Sequence, residues 1–157
     1  MRKLFLIINL LMIIFIPSVT FGNVIDKLNE VGKFTKLNET LVKSGLNEDL
    51  KNKGPFTVFA PLDDAFAAIS AKTYYGLLSE ANKDKLIKIL GRHVFSKKIT
   101  SSEINDEIIL KAINGEEIKI KKVNGIVYIN EAEVVTADVE VSNGVIHYIN
   151  RVLQPLN

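Results

Sequence analysis

The stretch Gly54-Pro55-Phe56-Thr57-Val58-Phe59-Ala60-Pro61-Leu62-Asp63-Asp64-Ala65-Phe66 leaves this chain few ways to fold. Phe56 to Ala60 is a short apolar run rich in β-formers, opened by a Gly-Pro turn pair and closed by Pro61, so it predicts a buried strand that stops at the proline. Beyond that corner, Asp63 or Asp64 is placed to accept hydrogen bonds from the free N–H groups that begin a helix, whose first apolar side chains are Phe66 and Ile69. Strand, corner and capped helix are the expected hub of a core, and none of the three requires chemistry.

A second block, from Ser142 to Pro155, reads as a tight Asn143-Gly144 turn followed by a long apolar strand that ends at proline. The two blocks resemble the two signature segments of the fasciclin (FAS1) domain: T-V-F-A-P-x-[DN]-x-A-F in the first, N-G-V-[IV]-H-x-I-[DN]-x-V-L-x-P in the second. Thr57, Phe59, Pro61, Asp64 and Phe66, then Asn143, Gly144 and His147, are the structural positions this likeness marks. Between the blocks, Gly91-Arg92-His93-Val94 takes the place of the family's tyrosine-histidine segment. Leu62 stands where the family usually has Thr or Ser, and Arg92 where it usually has Tyr. The resemblance runs from about Asn23 to the end. It implies one α+β domain over residues 23–157, a β-sandwich or wedge with N-terminal and intervening helices packed on the sheets.

The beginning of the chain is of another kind. Arg2 and Lys3 precede an apolar run from Leu4 to Ile16, interrupted only by Asn9, and Pro17 with the small or neutral Ser18, Thr20 and Gly22 follows. That is the pattern of a secretory signal over residues 1–22, with cleavage expected near Gly22. The run is shorter than the roughly 20 residues that span a bilayer core, so an uncleaved anchor is the alternative rather than the first reading. Loss of this segment removes Arg2 and Lys3 and no acidic residue, which takes the formal charge from +2 to neutral. A neutral domain without a Lys/Arg block has little electrostatic reason to bind nucleic acid or anionic lipid. The absence of cysteine excludes disulfides, thiolate metal sites and a lipobox anchor.

Elsewhere periodicity does the work. Val24, Leu28 and Val31 share one helix face, and after Gly32 so do Phe34, Leu37, Leu41 and Val42; Gly45 ends that helix, and Leu46 and Leu50 suggest a third. Tyr74, Leu77, Leu78 and Ala81 continue the helical pattern past the hub. Asn82 is placed to cap a helix carrying Leu86, Ile87, Ile89 and Leu90, which Gly91 stops; His93 to Phe95 then reads as a strand, and Ser101 to Ile104 as one helical turn. Three Asn-Gly pairs, at 114–115, 124–125 and 143–144, separate apolar runs, so the C-terminal third predicts a β-meander. Within it Ile118 and Ile120 face a core while Lys119 and Lys121 face water. Val127, Ile129, Val134, Val135, Val139 and Val141 extend the sheet. Helices first and strands last make the class α+β.

No nucleophile elbow, phosphate-binding loop, dinucleotide fingerprint or zinc-protease helix occurs. His93 and His147 each lie in a predicted strand without a second ligand at metal spacing, and read as hydrogen-bonded structural residues. Neither an enzyme, a metal nor a cofactor is expected. Asn38-Glu39-Thr40 matches a glycosylation sequon but falls in a predicted helix of a chain of bacterial character, and is discounted. The fasciclin likeness implies a secreted or periplasmic, monomeric module for adhesion to envelope or extracellular proteins or polysaccharides. Its two adhesion-linked segments fall on Arg92 and His93 and on Asp138 and Val139, where core roles are equally plausible readings. The alternative is a small carrier of an apolar ligand such as a carotenoid or lipid, in a groove formed by Tyr74, Tyr75, Leu77 and Leu78. An unrecognised hydrolase ranks last.

Overall fold

The computed structural model describes residues 20–154. The expected secretory segment therefore lies outside the described residues apart from Thr20, Phe21 and Gly22. Among the described residues no helix is long and apolar enough to cross a membrane.

Three short helices open the domain: α1 (Val24–Val31), α2 (Thr35–Ser44) and α3 (Leu46–Asn52). Gly32 and Gly45 adopt the left-handed conformation that ends the first two. The hub strand β1 (Phe56–Pro61) follows, then a 3₁₀ segment (Asp63–Ala68), α4 (Ala71–Leu77), α5 (Lys83–Gly91) and the short strand β2 (Val94–Phe95). A 3₁₀ turn at Ser101–Glu103 leads into β3 (Glu107–Lys111), β4 (Glu117–Val123), β5 (Ile126–Ile129), β6 (Ala132–Val141) and β7 (Gly144–Ile149).

The strands form one bent sheet in the order β2-β1-β7-β6-β5-β4-β3. From β3 to β7 it is the expected antiparallel meander, and β1 lies parallel to β7 with Val58 opposite Ile146 and Phe59 opposite His147. Pairing the hub with the last strand joins the two sequence blocks at the centre of the molecule. Alternation then divides the interior into two cores. Val58, Ala60 and Ile146 face the helices and meet Leu28, Phe34, Leu37, Leu41, Leu86 and Leu90. Phe59 and Ile149 face the other way, onto Phe95, Ile104, Ile118, Ile120, Val127 and Ile129. β1 and β7 are buried on both faces, which is why their sequences are continuous apolar runs rather than alternating ones.

The hub strand does end at Pro61, which is itself the last residue of β1, opposite Ile149. Phe59 donates its N–H to His93 O on the β2 side, so Pro61 would point a donor the same way, past the end of β2, and the missing N–H costs no ladder bond. Several local expectations are corrected. Asp63 does not cap the segment it begins. Its carboxylate accepts the N–H groups of Thr35 (3.2 Å) and Lys36 (2.9 Å) and so caps α2, whose own N-cap, Phe34, has nothing to offer. Asp64 is exposed and caps nothing. Asn82 faces backwards as well: its amide donates to Gly76 O (2.8 Å) at the end of α4, and α5 starts without a side-chain cap. His93 sits in the turn before β2, and Val42 and Val135 face solvent at 63% and 47% exposure.

Candidate functional site

Thr57 of the first signature block and His147 of the second are linked in one continuous chain of hydrogen bonds. Thr57, wholly buried on β1, donates its hydroxyl to Lys97 O and accepts Ile99 N–H (2.8 Å). Ile99 O takes the Nε2–H of His147 (2.8 Å), and His147 Nδ1 accepts Asp138 N–H (3.1 Å). The Asp138 carboxylate in turn accepts the backbone N–H of Ser101 (2.7 Å) and its hydroxyl. Asp138 occupies an irregular part of β6, with the register shifting between Thr136 and Val139, and takes a left-handed backbone with φ 61°. The result straps the irregular Lys97–Ser101 segment onto β1, β7 and β6. His147 also stacks on Phe59, ring centres 5.0 Å apart.

Burial opposes the low pKa of Asp138, but the hydrogen bonds from Ser101, with His147 and Lys122 nearby, hold its carboxyl below the usual range. Burial pushes His147 down against its Ile99 and Asp138 partners, so the imidazole is neutral with its proton on Nε2. Val139 is half-buried, opposite Ile146, and packs on the helix-side core.

His93 does the same work with the opposite tautomer. Its Nδ1–H donates to Ile89 O (2.8 Å) and its Nε2 accepts Leu153 N–H (2.9 Å), which ties the end of α5 to the C-terminal segment. It is 2% exposed, and burial, helped by the Arg92 charge, pushes its pKa down to about 4. Arg92 is 4% exposed and pairs with Glu116 through Nη2, while Nε and Nη1 have no hydrogen-bond partner among the described residues. Of the four suggested adhesion residues, only Asp138 offers an exposed side chain.

Ser101, Asp138 and His147 are close enough to suggest a hydrolytic triad, yet the geometry is wrong for one. The serine hydroxyl goes to the aspartate, the aspartate meets the imidazole through its N–H with the carboxylate 4.0 Å away, and both ring nitrogens are occupied. Among the described residues no group of His, Cys, Asp or Glu could hold a metal. Tyr74 and Leu77, with Phe66, Ile69, Leu86 and Val152, line a cavity of about 190 Å³ between α4 and α5, whereas Tyr75 is 67% exposed and points elsewhere. Tyr74 donates its hydroxyl to Glu39 (2.6 Å), and burial together with that bond raises its pKa.

Exposed apolar side chains gather on the outer face of the β3–β6 part of the sheet. Ile109, Val123, Ile126 and Val135 all lie there, and the exposed Ile113 comes two residues after the end of β3. Val123 and Ile126 are register partners, and so are Lys121 and Tyr128, whose cation lies 5.9 Å from the ring centre. This face carries no hydrophobic-pattern signal in the sequence, because its apolar residues stand at the positions that alternation assigns to water.

Helices on one side of a bent sheet, with Thr57, His147 and Asp138 spent on internal wiring, define an α+β wedge of the FAS1 kind. The Fasciclin domain family matches residues 32–155, and the chain belongs to that family. Protein sll1483 of Synechocystis sp. is 45% identical over 122 residues, 78% of this chain and 67% of the relative. Transforming growth factor-beta-induced protein ig-h3 of Sus scrofa is 35% identical over 134 residues, which are 85% of this chain but 19% of that protein. In structure, a FAS1 domain pair from the insect cell adhesion molecule fasciclin I matches with a TM-score of 0.75 at 23% identity, over 87% of this chain and 52% of the pair. The chain is thus one FAS1 domain.

Proposed function

We propose that this domain is a non-enzymatic interaction module, exported by its N-terminal segment to the periplasm or beyond, and that it grips a protein partner with the outer face of β3–β6. The observation that carries this reading is the exposed row Val123, Ile126 and Val135 across β4, β5 and β6, with Ile109 farther off on the same sheet face, since contiguous exposed apolar surface is uncommon unless something covers it. Lys111, Lys119 and Lys121 alternate with Glu107, Glu117 and Glu133 around these side chains, a mixture of charge that suits a protein surface better than a polyanion. Adhesion is named for the insect molecule above, and the shared fold supports carrying that role here. Asp138 stands at the rim as wiring rather than as the contact. Immobilised protein is expected to retain envelope or matrix proteins, and Val123→Glu with Ile126→Glu to abolish retention; retention unchanged in that variant refutes the face.

The cavity beside Tyr74 favours a second reading, a carrier. Its volume of about 190 Å³ is below the roughly 300–1,000 Å³ of drug-sized ligand sites, so it suits a single-ring or short-chain molecule and not an enclosed long pigment. Organic extraction of protein from its native host tests this: a lipid-free, colourless extract removes the reading.

A further inference from the structure

The strand β3 forms one end of the sheet, and the geometry points to its free edge as a site of pairing with β3 of a second copy of this chain. This goes beyond the proposed binding face and does not depend on it.

The free edge follows from hydrogen-bond parity. Lys122 N–H donates to Asp106 O (2.7 Å) and Ala112 N–H to Glu116 O (2.9 Å), so the even-numbered residues between them turn their backbone groups toward β4. Glu107, Ile109 and Lys111 therefore turn theirs outward. The next outward N–H, that of Ile113, reaches Val94 O (2.9 Å) on β2 and almost closes the sheet into a barrel. Closure goes no further among the described residues: a groove of about 250 Å³ bounded by Phe95, Ser96, Lys97, Leu110 and Lys111 separates the two edges. β3 has no proline and no bulge in its register with β4, and it exposes Ile109 at 58%; its edge protections are its short length and the charges of Glu107 and Lys111, which a second copy of the same strand can pair.

The sequence of the edge selects the occupant. When two copies of Glu107-Ile108-Ile109-Leu110-Lys111 are laid antiparallel about a two-fold axis through Ile109, each Glu107 faces Lys111 of the other copy and Ile109 faces itself. All three side chains lie on the outer face, and all three residues carry outward N–H and C=O groups, so ladder and charges are satisfied in the same register. Glu107 also touches Lys119 of its own sheet through Oε1 (3.0 Å), an exposed pair of small worth that leaves its other oxygen for the second copy.

One strand pair is a small interface, so the dimer forms weakly and is best trapped covalently. The full chain has no cysteine, so Ile109→Cys places one thiol on the proposed axis, while Val42→Cys on α2 is an equally exposed control. Under mild oxidant, Ile109→Cys is expected to form disulfide dimers roughly a hundredfold faster than Val42→Cys. A mixture of Glu107→Cys and Lys111→Cys chains is expected to give the mixed dimer faster than either variant dimerises alone. Equal rates for Ile109→Cys and Val42→Cys, or no advantage for the mixture, overturn the proposal.

Discussion

His93 and His147 carry their protons on opposite nitrogens because each is read by two backbone groups, one accepting and one donating. Protonation breaks the bond to the donor, Leu153 N–H in one case and Asp138 N–H in the other. With its folded pKa near 4, against about 6.5 in the unfolded chain, His93 lets the unfolded state take up its proton first. Its stabilising contribution is complete above about pH 6.5 and is lost as the pH falls toward 4, for a total of roughly 3 kcal/mol. Urea denaturation at stepped pH reads this directly; a free energy that stays level across that window contradicts the neutral, doubly bonded imidazole. Asp138→Ala removes the acceptor of both Ser101 donors and leaves a side chain at φ 61°, so about 1–3 kcal/mol of stability is expected to go. Asp138→Gly, free of the conformational penalty, is expected to lose about 1 kcal/mol less in the same thermal melts. A structural role is legible in the sequence for His147 from its strand setting; His93 has one too, although it sits in the turn before β2 and not in the expected strand. Their tautomers are not legible there, because Ile99 and Leu153 are named only by the fold.

At the scale of elements, the hairpins at 114–115 and 124–125 are legible because an Asn-Gly pair dictates its own turn, with Asn124 at φ 52° and Gly125 at φ 80°. The β5–β6 hairpin has no glycine and escapes the same reasoning. There Asn130 takes φ 50° and binds Lys119 from both its N–H (2.8 Å) and its Oδ1 (3.3 Å), a pairing that only the assembled sheet supplies. Capping shows the same limit. Asp63 and Asn143 are recognisable as cap or turn residues, but the groups they serve belong to other elements. Asn143 Oδ1 accepts Val24 N–H (3.0 Å) at the start of α1, and its amide donates to Leu50 O (2.7 Å) and Lys53 O (2.8 Å) around the end of α3. Next to it, Gly144 has φ 154°, and a Cβ would fall 1.8 Å from Phe56 O. Gly144→Ala must push β7 away from β1, so it is expected to cost more than about 4 kcal/mol or to prevent folding, visible as loss of soluble protein. A variant as stable as the parent rules out that close approach.

For the whole molecule, the two cores share one wall: β1 and β7 contribute alternate side chains to each, so the helices and the β3–β5 hairpins are fastened to the same pair of strands. The class α+β and the meander follow from the sequence, as does the burial of β1 and β7, written as uninterrupted apolar residues, but the parallel pairing of those two strands is supplied only by the fold. Nor do the outer face and the open edge follow from the sequence, since solvent-facing positions obey no pattern that periodicity could reveal. The central claim is that the signature polar residues hold the wedge together while the β3–β6 face makes contact. Retention of partner protein by immobilised domain, measured beside thermal stability for two variants, tests it most directly. The account predicts that Asp138→Ala melts earlier but retains partner while still folded, and that Val123→Glu with Ile126→Glu melts as the parent does but retains none; the reverse pattern contradicts it.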